Sequence, residues 1–145
     1  MISMKFKEMF FDRQVVIDDM DRKTHSVFVE FGAKVRTRAK TSIRPATKFN
    51  PTSLPGQPPK SHNGLLRRMI FFLWDRVTRS VIIGPEKVIG KIGDAPHALE
   101  HGGRTEVRVT TGARRRRIRI KQRPFMGPAF EQEKKGLDKL WADVR

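Results

Sequence analysis

Most of the chain's apolar mass is gathered between residues 65 and 85, and any fold for this sequence has to be built around that stretch. Met69-Ile70-Phe71-Phe72-Leu73-Trp74 is a continuous apolar run, and Val81-Ile82-Ile83 is a shorter one rich in β-branched side chains. The intervening Asp75-Arg76-Val77-Thr78-Arg79-Ser80 is too polar for a core and has the length of a hairpin connection with frayed strand ends. Gly84-Pro85 closes the second run, because proline cannot donate to a ladder and glycine leaves φ free. Two neighbouring antiparallel strands are expected. A lone hairpin is marginal in water, so this pair needs further strands or a helix laid across one face.

The segments on either side supply both. From Asp12 to about Ile43 the periodicity is helical, with Val16, Met20, Val27, Phe28, Phe31, Val35 and Ala39 recurring at three- and four-residue steps. Asp12 is placed to cap it; Asp18, Asp19 and Asp21 lie in its first half, and Lys34, Arg36, Arg38, Lys40 and Arg44 lie at its end, which complements the helix dipole. Unbroken, such a helix is a charge-polarised rod of about 45 Å. Gly32 is its weak point, costing up to about 1 kcal/mol in a helix interior.

Residues 44–64 are a different material, with Pro45, Pro51, Pro55, Pro58 and Pro59 and almost no apolar content. They read either as a solvated linker or as an ordered arm lying on a neighbouring subunit. Beyond the central pair comes a Gly-punctuated loop at 86–94. Residues 95–103 then read as a single helical turn with Pro96 at its start and Gly102-Gly103 at its end. Val107 and Val109, and later Ile118 and Ile120, alternate with polar neighbours and read as half-buried strands joined across Thr111-Gly112-Ala113. Pro128 sits where a first-turn proline belongs, and Ala129, Phe130, Glu133, Leu137, Leu140, Trp141 and Val144 continue at helical spacing. The fold expected is a single α+β domain: a long N-terminal helix, a four-stranded antiparallel sheet and a C-terminal helix, with a Pro-rich arm at 44–64 and a basic hairpin at 104–123.

Charge narrows the partners. With 31 Lys and Arg against 15 Asp and Glu in 145 residues, the formal net charge is +16, which repels itself unless an anionic partner or a neighbouring subunit offsets it. There are no cysteines, which removes disulfides, thiolate metal sites and thiol nucleophiles and fits a reducing compartment. The longest apolar run is far short of the roughly 20 residues that span a bilayer, so membrane insertion is not expected.

The densest charge is Arg114-Arg115-Arg116-Arg117-Ile118-Arg119-Ile120-Lys121-Gln122-Arg123. Cations at this density neutralise phosphates and release counterions, giving nonspecific affinity for nucleic acid. No aromatic residue is interleaved to stack bases, so Arg114, Arg115, Arg116, Arg117, Arg119, Lys121 and Arg123 serve equally as contacts to acids on a neighbouring subunit. His97-Ala98-Leu99-Glu100-His101 formally matches the inverted zinc-protease pattern, but Pro96 and Gly102-Gly103 leave barely more than one helical turn to carry it. Gly84-Pro85 and Gly90-Lys91-Ile92-Gly93 lack the spacing of a phosphate loop. The expectation is therefore a non-enzyme with no cofactor, no metal and no catalytic residue.

Four pieces, taken in order, resemble a family. Pro55-Gly56-Gln57-Pro58-Pro59 followed by His62-Asn63-Gly64-Leu65-Leu66-Arg67-Arg68-Met69-Ile70 is similar to the loop-to-strand signature of the head-tail connector proteins of long-tailed bacteriophages, also called tail-completion, neck or head-tail joining proteins. Val81-Ile82-Ile83-Gly84-Pro85 resembles the strand that follows. Residues 95–103 resemble that family's short Ala-x-x-x-Glu-aromatic-Gly segment, with His101 in the aromatic place, and Arg123-Pro124-Phe125-Met126-Gly127-Pro128-Ala129-Phe130 its closing Arg-Pro-Phe-x-x-Pro-Ala signature. The resemblance implies a structural virion protein whose subunits form a ring, commonly six-fold, between the DNA-filled head and the tail. Its implied partners are further copies of itself, other neck, portal-adaptor and tail-tube proteins, and the genomic DNA that passes the lumen. Glu100 is expected to anchor its segment by accepting hydrogen bonds, and Pro124, Phe125 and Pro128 to pin the last strand against the terminal helix. A free nucleic-acid-binding protein using the Arg-rich hairpin is the alternative.

Overall fold

A long helix, α1 (Arg13–Ser42), carries the fold, and its buried stripe decides where everything else packs. The computed structural model describes residues 13–86, 95–108 and 115–143. The expected cap Asp12, the loop at 87–94, the turn at 111–113, Arg114 and Val144 lie outside them. Along α1, Val27, Phe31, Val35 and Ala39 fall at the three- and four-residue steps that define one helix face, and all four are buried.

One side of that stripe is covered by a hairpin of β1 (Ile70–Asp75) and β2 (Ser80–Pro85), antiparallel with Leu73 opposite Ile82 and Ile70 opposite Pro85. Alternation along β1 turns Ile70, Phe72 and Trp74 toward the helix, where Ile70 is fully buried. Trp74 meets the ring of His25 edge-on at 5.1 Å and stacks on Phe28 at 6.1 Å. At Gly32 the two layers come closest: a Cβ there would lie 2.8 Å from Val81 Cγ2 and 3.1 Å from Phe72 Cδ2. The residue that reads as the weak point of the helix is the one that lets the hairpin in.

The hairpin turns through Arg76–Arg79, with Arg79 at φ 50°. The Asp75 carboxylate organises it, accepting from Val77 N at 2.9 Å and Thr78 Oγ1 at 2.7 Å. Those bonds, the Thr78 hydroxyl first, hold Asp75 below the usual carboxylate range. Arg79 then reaches Asp21 at 2.8 Å, so the hairpin tip is tied to the helix near its front.

The other side of the stripe is covered by α4 (Met126–Lys134) and α5 (Leu137–Asp143), which bury Ala129 and Leu140. The single terminal helix expected from the sequence is broken at Gly136, whose N–H turns back to Glu133 O at 2.9 Å. Phe130 meets Phe31 and Trp141 meets Phe28, both edge-on. Arg38 clamps α4 from α1 through the Glu133 carboxylate and through Gln132 Oε1 at 2.8 Å.

The four-stranded sheet is not formed. β3 (Gly103–Arg108) and β4 (Arg115–Ile120) pair only with each other, as a second two-stranded antiparallel sheet with Thr105 opposite Ile118. Two causes are visible. Backbone oxygens near the strand ends are taken from elsewhere: Ile70 O accepts from Arg36 Nε, and Gln122 O from Gly56 N. Pro85, ending β2, has no N–H to offer.

Between the hairpins, α3 (Ala95–His101) is a short helix that ends at Gly102, φ 75°, where a Cβ would meet Gln122 N at 3.2 Å. A one-turn helix, α2 (Leu65–Arg68), precedes β1 and starts from Gly64 at φ 73°. The Pro-rich segment at 44–64 folds back on its own subunit. Its ends are joined by Ser61 N to Arg44 O and Ala46 N to Ser61 O, both 2.9 Å, and its middle is held by Gly56 N to Gln122 O and by Arg123 Nε to Ser53 O at 3.1 Å.

Candidate functional site

Glu100 ties residues 95–103 to residues 123–130. It stands on the last turn of α3, and its carboxylate accepts three backbone N–H groups at the start of α4: Phe125 at 2.9 Å and Met126 at 3.0 Å on Oε2, Gly127 at 2.7 Å on Oε1. The first N–H groups of a helix have no partner inside it, and Phe125, the N-cap residue of α4, makes no side-chain cap of its own. A carboxylate delivered from 25 residues upstream does that work, favoured by the helix dipole and by charge-assisted bonding. Gly127 permits the approach, since a Cβ there would stand 3.1 Å from Glu100 Oε1.

The neighbouring residues lock this junction. Arg123 N donates to Leu99 O, fixing α3 to the exit of β4 one step before Pro124. Phe125 is 1% exposed and belongs to the main core with Ile43 and Ile70. Pro128 occupies the first turn of α4, where a missing N–H costs no helical bond. Beside the junction lies a cleft of about 300 Å³ with Ile83, Pro85, Pro96, His97, His101 and Met126 among its walls. The His97 and His101 rings stand 4.7 Å apart there. Glu100, the acid between them, is turned into the α4 amides, and among the described residues no three His, Cys, Asp or Glu side chains gather to hold a metal ion.

Among the described residues the basic run is divided between a strand face and a loop contact. Arg114 lies outside the described residues, and the ladder places Arg115 and Arg116 opposite Arg108 and Val107. Arg117 and Arg119 share a face with their partners Glu106 and Arg104, at the roughly 6.8 Å repeat of alternate strand residues. Arg117 Nε reaches Glu106 at 3.1 Å, but both side chains are exposed and such a pair contributes little. Arg104 directly opposite Arg119 is unfavourable in isolation. Lys121 is exposed beyond the strand. Arg123 Nε donates to Ser53 O, fastening the Pro-rich loop to the exit of β4.

A second surface escapes the sequence reading. On the side of the first hairpin away from α1, Phe71, Leu73 and Ile82 are 47%, 67% and 58% exposed, forming the wall of an open apolar groove of about 260 Å³ that ends at Pro85 and Glu86. Lys40 Nζ stands 5.8 Å over the Phe71 ring, held below the usual ammonium range by burial and then by the Arg36 and Arg67 guanidiniums. The signal for this surface is present in the six-residue apolar run: alternate side chains of a strand point to opposite faces, and one helix covers only one of them.

Compared with models of known protein families, with curated proteins and with solved structures, the chain matches none. Among the described residues, no helix is long and apolar enough to cross a membrane.

Proposed function

We propose that the chain is a non-catalytic structural protein of a tailed bacteriophage particle, assembling into a ring at the head-tail junction through which DNA passes. The observation that carries this reading is the convergence at Glu100. Three of the four segments that resemble the connector family, those around 81–85, 95–103 and 123–130, contribute walls to a single cleft although they are spread over some fifty residues. A set of signature pieces with a shared structural purpose should meet in this way, whereas chance matches have no reason to. The open apolar face of the first hairpin supplies a surface for neighbouring subunits, and the basic face of the second tolerates a passing polyanion. The location implied is the virion, with copies of the same chain and other neck and tail proteins as partners.

The test is native mass at moderate salt, with images of the same sample. A closed ring supports the proposal and counts its subunits. A monomer at all concentrations, alone and with tail-tube protein, removes it.

A second reading rests on the Arg104, Arg117 and Arg119 face, whose like-charged cross-strand pair favours an anionic occupant. It makes the chain a nucleic-acid-binding protein. Affinity that falls steeply from low to moderate salt, in a protein that never closes into rings, would move the conclusion there.

A further inference from the structure

The most exposed large apolar side chain among the described residues is Phe49, at 101% of its reference surface. It does not sit on a loose strand of chain. Thr47 and Asn50 exchange backbone hydrogen bonds across it, at 3.4 and 3.2 Å, Thr47 Oγ1 accepts from Asn50 N at 3.1 Å, and Lys60 Nζ reaches across the loop to Asn50 O at 3.1 Å. The loop that carries this turn is itself closed at its base by the Arg44, Ala46 and Ser61 bonds. A rigid turn that holds an aromatic ring wholly in water gains nothing within its own subunit. Held this way, the ring would lose little conformational freedom on entering a partner.

The same subunit has a complementary concavity that Phe49 does not occupy. The groove over Phe71, Leu73 and Ile82 is open, apolar and about 260 Å³, and its floor at Gly84 has nothing within 4 Å of where a Cβ would stand. The ends of the two features also match in sign. Lys48 precedes Phe49, Glu86 borders the groove beyond Pro85, and among the described residues neither has an ion-pair partner.

We infer that Phe49 of one subunit docks into the Phe71, Leu73 and Ile82 groove of a second copy, with its Lys48 facing the second copy's Glu86. The inference rests on the ring reading above and names the contact that closes the ring. Donor and acceptor are different surfaces of one chain, so the contact is head-to-tail, which is the kind that builds rings of more than two subunits. An aromatic anchor in an apolar pocket is also the kind of contact that dominates binding energy.

The absence of cysteine makes the test direct, because any disulfide must come from introduced residues. Lys48→Cys and Glu86→Cys, which keep the Phe49 anchor and its groove intact, are made separately and together. Oxidising a mixture of the two single variants is expected to give the mixed dimer ahead of either homodimer, and the double variant a ladder of cross-linked oligomers that ends at the ring number. Homodimers alone, or a mixed dimer only with a control such as Val16→Cys, would overturn the inference. Phe49→Ala gives a second readout without cross-linking. The side chain is fully exposed, so at concentrations too low for assembly its melting temperature should equal the parent's, while the dissociation constant of the assembly should rise roughly thirtyfold or more. If Phe49→Ala assembles as the parent does, the inference fails and the ring reading stands; if the parent chain forms no assembly, both fail together.

Discussion

The two hairpins have strands of the same length and the same antiparallel pairing, and they do opposite work. The first puts Ile70, Phe72 and Trp74 onto α1 and is part of the core. The second has only Thr105 buried among the strand residues whose exposure is described, with Ile118 and Ile120 half-buried and arginines on the opposite face. Both have one face that the subunit does not cover, apolar in the first and cationic in the second. Secondary structure alone therefore does not assign a role here. What distinguishes the hairpins is the chemistry of the face left open, and that chemistry points to protein neighbours for one and a polyanion for the other.

The comparison breaks most easily at the core. Ile70→Ala should cost about 2–5 kcal/mol in urea unfolding, because Ile70 is fully buried, whereas Ile120→Ala should cost no more than about half as much. Equal losses would mean that the second hairpin is as much a part of the core as the first. The junction between them comes next. Glu100→Ala leaves three amide donors of α4 without their acceptor and should lose about 2 kcal/mol, with Glu100→Gln losing less because one oxygen can still accept.

Substitutions on the open faces should separate stability from binding. Arg104→Ser and Arg119→Ser should each leave the unfolding free energy within about 0.5 kcal/mol of the parent, since both are exposed. Each should also lower the slope of log affinity for duplex DNA against log salt by about one, if its guanidinium contacts a phosphate. An unchanged slope would mean the cationic face meets protein instead. The smallest effect belongs to the turn of the first hairpin. Asp75 is held below the ordinary aspartate value of 3.8, so its contribution is complete above that value and is lost as pH falls through the lower value of the folded state. Asp75→Asn should flatten the acid limb of the stability profile, with a small loss at neutral pH that vanishes as the parent's Asp75 protonates.

Much of this architecture is legible in the sequence because it is written in local periodicity. The 3.6-residue stripe of α1 and the two apolar runs of the first hairpin specify their elements and their inward faces. Partner choice is another matter. Alternation at Val107, Ile118 and Ile120 predicts strands but is silent on whether a neighbouring hairpin or a loop will take their free edges; here Gly56 and Arg36 take nearby backbone oxygens from far along the chain. Sequence marks Glu100 as a hydrogen-bond acceptor, but only the coordinates bring the α4 amide donors to its carboxylate. Arg123 looks like its basic neighbours in sequence and differs only because Ser53 O comes within 3.1 Å.

The position of the C-terminal helices against α1 has a consequence for synthesis. The stripe of Val27, Phe31, Val35 and Ala39 is emerging from the ribosome long before Phe125, Ala129 and Leu140, the residues that complete its cover. Until those residues are made, at roughly 5–20 residues per second, one side of the finished apolar helix face lacks its cover. Nascent chains of this protein are thus natural clients for holding chaperones, and a chain released before residue 125 has no route to the native core.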